Sequence, residues 1–451
     1  LLIDDEITKE EAEFFINELI DSQILFSELE PSVSGDDLLL QTLSVLEKLE
    51  GINEIKTKLK EIKSDIDRIN SLPLGIDISN YFDLVEKIKT LHVDYQLKFL
   101  FQVDLSKPTY EVQIKKKVSN DILKALNVFN RISIKSDESN LTKFKNSFYE
   151  RYEDAEIPLL QALDTETGIG YLDDQLGSGI PSPLVDDLSL PTRTVNSLKK
   201  NWDNYNTFIL KKYLEAIENG KSEIEITDKE LEQVTQEPDW NDLPKTMSAV
   251  VQLFRQGDDE LIYIKNCGGS SAANLLGRFA HTEEAINDFV TEIAEYEQRV
   301  ESEKILAEIV HLPESRTGNV LLRPIIRSFE IPYLAKSNVK QEYQINPDDL
   351  FISVKRNRLV LRSKRLNKEI IPQLSNAHNF TFNALPVYHF LCDLQTYNQR
   401  GGIGFSWGSL KNEFEYLPRV KYGNVIFSLA EWNIRKEHIE KIHVALGDCT
   451  R

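Results

Sequence analysis

Ser248-Ala249-Val250-Val251-Gln252-Leu253-Phe254-Arg255, then Gln256-Gly257-Asp258-Asp259-Glu260, then Leu261-Ile262-Tyr263-Ile264 is the stretch on which the fold class turns. Two runs rich in β-branched and aromatic residues, joined by a short polar link with one glycine, read as a β-hairpin. Downstream of it the strand pattern returns repeatedly, at 305–311, 320–326, 350–354, 358–363 and 424–428. Upstream, apolar residues recur every three or four positions, which is helical spacing. The class is therefore α+β, with a helix-rich first half and mixed or antiparallel sheets in the second.

The upstream helices carry their own signals. Thr8 with Glu11 three positions later forms a capping box. It opens a helix over 7–20 whose apolar residues are Ala12, Phe15, Ile16, Leu19 and Ile20. Residues 24–29 then read as a strand ended by Pro31 and Gly35; helix, strand and turn fit either the end of a winged-helix unit or any α/β edge. From 36 to 70 the leucines and isoleucines keep helical spacing and predict a helical pair around Gly51, with a solvated charged face. A strand over 97–104 and helices over 112–129, 194–219 and 228–234 complete the first half. Between 165 and 191, seven Gly and Pro residues predict a long irregular connection. Its acidic pairs, Asp173-Asp174 and Asp186-Asp187, lack the spacing of a calcium loop.

Length and composition bound the functions. A chain of 451 residues, 41% hydrophobic, is expected to form about three compact units. Mean hydropathy of −0.35 and the lack of a long apolar run exclude a membrane-spanning helix. No basic-then-apolar secretory signal leads the chain, which begins with Leu1 and holds one Met, so sequence continuing upstream is expected. Three cysteines more than fifty residues apart give no disulfide framework and no metal knuckle, and a reducing cytoplasm is the expected home.

The net charge of −20 argues against bulk coating of nucleic acid and directs attention to local basic patches. One exists. Residues 311–370 hold twelve cations against six anions, an excess of +6 in an acidic chain. Arg323 and Arg327 stand four apart and share one face if 320–326 is extended, where two guanidiniums either grip a carboxylate or phosphate or protect a sheet edge. The glycines of 266–279 allow a tight strand-to-helix turn that either binds an anion or simply turns; neither GxGxxG nor GxxxxGK[ST] occurs. The seven histidines form no HExxH, and no GxSxG is present, so zinc and serine hydrolysis have no support.

Several blocks in order resemble one family. Leu25-Phe26-Ser27-Glu28-Leu29-Glu30-Pro31, Phe148-Tyr149-Glu150-Arg151-Tyr152-Glu153, Gly168-Ile169-Gly170, Gly277-Arg278-Phe279, 361–372, and Leu417-Pro418-Arg419-Val420 with Trp432 look like lantibiotic (class I lanthipeptide) dehydratases. The resemblance implies a domain that takes glutamate from glutamyl-tRNA and esterifies Ser or Thr side chains of a ribosomal precursor peptide. A further domain, in the same chain or another, would then eliminate glutamate to leave dehydroamino acids. It implies glutamyl-tRNA as co-substrate and no bound cofactor or metal. An elimination domain, a cyclase and a second copy of the chain are the other expected partners, with no membrane insertion.

In these terms 1–35 is the end of a winged-helix-like leader-peptide clamp, 36–164 a helical and mixed subdomain, 165–193 the Gly/Pro-rich connection and 194–451 the α+β glutamylation core. Arg316-x-x-Asn319-Val320 matches a family position where arginine supports transfer, so Arg316, Asn319 and Arg323 are the expected catalytic set. Arg278, Arg327, Lys364 and Arg419 are expected to bind substrate or tRNA, and Phe15, Leu19, Leu25 and Phe26 the leader peptide. A loaded tRNA end brings phosphates, a carboxylate and an already activated ester, so the protein has mainly to orient a hydroxyl and stabilise an oxyanion. Two alternatives stay open: a ligase using aminoacyl-tRNA to extend a peptide, and a peptide-binding scaffold without turnover.

Overall fold

The computed structural model describes residues 8–22, 24–25, 27–107, 113–133, 139–172, 202, 204–232, 237–257, 259–313, 318–381 and 384–440. The chain divides into two compact units, each assembled from three separated segments. One comprises 1–106, 152–170 and 276–392; the other comprises 107–151, 171–275 and 393–451. Packing therefore cuts the chain differently from the consecutive segments expected above, because sheet pairing joins residues distant in sequence.

The first unit is built on a six-stranded sheet. Its order is Ile157–Pro158, Leu350–Lys355, Arg358–Ser363, Lys368–Gln373, Ile305–Val310 and Phe329–Pro332. The first four strands pair antiparallel, whereas Ile305–Val310 runs parallel to both of its neighbours. Every residue of Ile305–Val310 is buried, as expected for a parallel strand covered on both faces. The turn between Leu350–Lys355 and Arg358–Ser363 uses Arg356 and Asn357, both at positive φ (50° and 60°), the backbone that a two-residue hairpin of this twist requires.

In the same unit, helices Leu38–Leu46 and Asn53–Ser71 form the pair expected around Gly51, whose φ of +80° suits glycine. With helix Ser79–Lys89 they enclose a small core of Ile62, Ile69 and Leu84. Helix Lys9–Asp21 carries the capping box: Thr8 Oγ1 accepts from Glu11 N, and Glu11 Oε2 accepts from Thr8 N.

The second unit has a five-stranded sheet in the order Glu223–Glu225, Arg419–Tyr422, Val425–Ser428, Asp259–Gly268 and Ser248–Gln256. The hairpin from which the fold class was read is present, with pairing from Ser248 with Gly268 to Gln256 with Asp259. Helices Lys116–Ile132 and Asn204–Glu218 cover one face through Ala125, Phe129, Ile209 and Tyr213. Arg400 ties this core together: its guanidinium reaches Asp242 Oδ1 (2.7 Å) and the carbonyls of Asn130 (2.8 Å) and Asp239 (2.8 Å).

Three expected strands do not form. The described residues of 24–29, which are 24–25 and 27–29, make bends and a turn, and 97–104 holds only the 3-10 turn Leu97–Phe99. Leu97, Phe99 and Val103 are at least half exposed, so no neighbouring strand repays their ordering. Residues 320–326 begin in the short helix Gly318–Leu321 and then run irregularly past Pro324, which lacks a ladder donor. Of the Gly/Pro-rich connection, 173–193 lies outside the described residues.

Candidate active site

Ile305-Leu306-Ala307-Glu308-Ile309-Val310 places a carboxylate in the middle of the buried strand of the first unit. Glu308 is 1% exposed. A buried charge costs several kcal/mol unless it is paired and hydrogen-bonded, and here both conditions hold. Arg323 Nε donates to Glu308 Oε1 at 2.8 Å, while its Nη1 and Nη2 donate to the carbonyls of Leu321 (2.7 Å) and Ile309 (2.8 Å). Ser375 closes the other side, giving its N–H to Oε1 (2.7 Å) and its hydroxyl to Oε2 (2.8 Å). Arg327 completes a quartet, with Nη2 2.5 Å from Glu297 Oε2 and Nε 3.4 Å from Glu308 Oε2.

This network anchors the chain after Gly318–Leu321. The backbone of Arg323 is held as well, donating to Val33 O (3.1 Å) and accepting from Gly35 N (2.9 Å). Val33, Val310 and Leu321 pack into a small apolar cluster beside it.

At the carboxyl ends of the parallel strands stand His311, Tyr333, Asn376 and His378, a position where α/β sheets commonly hold ligands. His311 Nδ1 lies 2.8 Å from Tyr333 O, so in the neutral ring Nδ1 carries the proton and Nε2 the lone pair. The His311 ring packs against Tyr388 with centroids 4.6 Å apart, and the Tyr388 hydroxyl meets His378 Nδ1 at 3.0 Å. Burial pushes His311 down to about 4; the bond to Tyr333 opposes the shift and nearby His378 adds to it. Burial also pushes the Tyr388 phenol far up. Both groups are therefore neutral around pH 7.

The Gly277–Phe279 turn abuts this region. A Cβ on Gly277 would lie 1.8 Å from Ser375 O, so only glycine fits there. The next residue, Arg278, is engaged with Asp104: its Nη2 donates to Asp104 Oδ1 at 2.8 Å and its guanidinium lies 4.6 Å from the Phe279 ring centre. His281 Nε2 is 3.7 Å from the second oxygen of Asp104.

The expected site residues divide accordingly. Arg316 and Phe26 lie outside the described residues; Asn319 falls in the helix Gly318–Leu321, and its side chain is likewise outside them. Arg323 (1% exposed) and Arg327 (5%) do come together, but as buried partners of Glu308 and Glu297 rather than as open guanidiniums on a strand face. Lys364 sits 5.2 Å from the Phe351 ring centre. Arg419 belongs to the second unit, where it pairs with Glu223. There Lys421 and Arg419 outweigh burial, the largest single effect, and hold the Glu223 carboxyl below its usual range. Phe15 and Leu25 are exposed on or just after the first helix, and Leu19 is half-buried. Sequence reasoning missed Glu308, Ser375, His311 and Tyr388. One signal was present, since an ionisable residue inside an all-apolar strand implies a buried partner.

The family described as "Lantibiotic dehydratase, N terminus" matches residues 2–445. The chain belongs to the N-terminal family of lantibiotic dehydratases. Within that family it is 24% identical over 436 residues to the subtilin biosynthesis protein SpaB of Bacillus subtilis, which covers 94% of this chain and 41% of that protein. To the nisin biosynthesis protein NisB of Lactococcus lactis subsp. lactis it is 20% identical over 439 residues, covering 94% of this chain and 42% of that protein. The crystal structure of the tRNA-dependent lantibiotic dehydratase MibB from Microbispora sp. 107891 shares the fold, with a TM-score of 0.73 at 19% identity, over 95% of this chain and 42% of that one. The chain thus spans about two fifths of the lantibiotic dehydratase relatives it matches.

Proposed function

We propose that this chain carries the glutamylation half of a lantibiotic dehydratase, transferring glutamate from glutamyl-tRNA to Ser or Thr hydroxyls of a ribosomal precursor peptide. The observation that carries the proposal is the family match along nearly the whole chain, 2–445. The chemistry balances without a cofactor: the hydroxyl oxygen bonds to the acyl carbon, the ester bond to the ribose breaks, and the ribose oxygen takes the proton. Catalysis then consists of holding two reactants and stabilising one oxyanion.

Within this proposal Arg316 and Asn319 are the residues that support the transfer, and Arg323 is a positioning residue. Its buried grip on Glu308 and on the backbone of Val33 and Gly35 fixes the segment that follows them. Arg327 serves the same network, while Arg278, Lys364 and Arg419 contribute to tRNA contact. Helix Lys9–Asp21 and the residues after it, with Phe15, Leu19 and Leu25, are read as the last part of a winged-helix leader-peptide clamp. Elimination of glutamate, by a domain in the same or another chain, and ring closure by a cyclase would follow in the cytoplasm, and a homodimer is the proposed assembly. Among the described residues no helix is long and apolar enough to cross a membrane.

The test is mass spectrometry of a precursor peptide incubated with the full-length protein and glutamyl-tRNA. Each modified residue should gain about 129 mass units, as esterification by glutamate requires, or lose about 18 where an elimination domain in the same protein has already expelled the glutamate. Arg316→Ala should abolish both mass changes while leaving peptide binding intact. A wild-type protein giving neither change defeats the proposal; an active Arg316→Ala variant removes only that residue's assignment.

A further inference from the structure

Two stretches assigned above to the reactants converge on one side chain of the first unit. The turn Gly277–Phe279 carries Arg278, and the chain that leaves the strand Ile305–Val310 carries Arg316 and Asn319 before it reaches Arg323. Arg323 Nε donates to Glu308 Oε1 at 2.8 Å. Ser375 holds both oxygens of the same carboxylate, giving its N–H to Oε1 (2.7 Å) and its hydroxyl to Oε2 (2.8 Å). The carbonyl of Ser375 is in turn the floor on which Gly277 lies, and an added Cβ at Gly277 would also come within 3.3 Å of Ile326 Cδ1. Ser375 is completely buried, between the carboxylate on one side and the turn on the other.

We propose that Ser375 is a positioning residue for glutamyl transfer: acting through Glu308, it fixes the distance between the turn that carries Arg278 and the stretch that carries Arg316 and Asn319. The inference rests on the proposed function, in which the turn contributes to tRNA contact and the stretch supports the transfer. An acyl group passes between two bound reactants at a rate set by their separation and alignment, and a misplacement of about 1 Å can cost about 100-fold. Serine suits this position because its N–H and hydroxyl clamp one carboxylate at two points. That clamp fixes the backbone of residue 375, and with it the place where the carbonyl meets Gly277. Stability alone does not call for such a network, since a buried ion pair is commonly no more stable than an apolar core of the same volume. Ser375→Ala keeps the N–H bond and removes the second hold, leaving Oε2 with Arg327 Nε at 3.4 Å.

The experiment compares the full-length wild type with Ser375→Ala and with Ser375→Cys, whose thiol is a weaker donor in the same place. Dissociation constants for glutamyl-tRNA and for the precursor peptide are measured separately. The single-turnover rate at which saturating peptide discharges bound glutamyl-tRNA is measured next. Ser375→Ala should lower that rate about tenfold with both dissociation constants within about twofold of wild type, and Ser375→Cys should fall between the two. A residue that only holds the fold together would weaken both affinities along with the rate, or lower the melting temperature and nothing else. Either result overturns the proposal. Should Ser375→Ala not fold, the rate and affinities of Ser375→Cys decide. A wild type that discharges no glutamyl-tRNA defeats the proposed function and this role with it. A wild type that transfers glutamate no faster than Ser375→Ala defeats the role alone.

Discussion

His311 shows how one side chain couples the fold to pH. It is 4% exposed, donates through Nδ1 to Tyr333 O, and is held to about 4 by burial, whereas an unfolded chain protonates histidine near 6.5. Between those values the unfolded state binds the extra proton. Stability is therefore fully present above about pH 6.5 and is lost as pH falls toward 4, by up to about 3 kcal/mol. Urea midpoints at pH 7.5 and pH 5 should show the wild type losing stability on acidification, and His311→Asn losing less over the same interval. Asparagine keeps a donor where Nδ1 stood and has nothing to protonate. Equal losses in the two proteins would place the acid sensitivity elsewhere. The neighbouring Arg323–Glu308 pair acts differently: at such burial the pair adds little net stability, but either charge left alone is costly. Its use is to give the segment after Gly318–Leu321 a single path.

At the scale of elements, the hairpin and the helical pair were legible in sequence because period and turn chemistry are local. Gly257 and the β-branched runs predict a hairpin of 248–255 with 261–264, which folds as Ser248–Gln256 with the longer Asp259–Gly268, and the leucines spaced three and four apart over 36–70 predict a helical pair, which folds as Leu38–Leu46 with Asn53–Ser71. The site was less legible. Arg323 and Arg327 read as open cations because their partners, Glu308 and Glu297, lie 15 and 30 residues away and meet them only once the sheet is assembled. The 97–104 run reads as a strand by composition and fails for want of a neighbour. The glycine-rich turn read as an anion cradle or a plain turn has a third role at Gly277, which lets the turn lie directly on Ser375. Gly277→Ala should therefore cost about 3 kcal/mol by overpacking, visible as a lower melting temperature, with Ser375 displaced from Glu308. Gly401→Ala, where an added Cβ would meet nothing within 4 Å, is the matched control. A Gly277→Ala protein as stable as that control would show that the turn yields without cost.

For the whole molecule, the decisive quantity is how much positive charge a polyanion meets on a chain of −20. Sequence counting gives +6 over 311–370, but among the described residues folding brings three outside carboxylates to that segment: Glu308 to Arg323, Glu297 to Arg327 and Glu156 to Arg362. Glu156 is held below its usual range chiefly by its hydrogen bond to Arg362, so it stays charged near neutrality. Subtracting those three leaves +3. Arg278 and Arg419, expected to reach RNA, are likewise matched by Asp104 and Glu223. On the proposed function, association of tRNA with the residues of this chain should therefore release few counterions. A plot of log K against log salt should have a slope of about −3, as three or four neutralised phosphates give. Recognition on those terms depends on the shape and chemistry of the loaded end more than on backbone charge, so uncharged tRNA should bind measurably more weakly than glutamyl-tRNA at the same salt. A slope of about −8 or steeper, equal for loaded and unloaded tRNA, would mean that the RNA is held by a larger basic surface than these ion pairs leave.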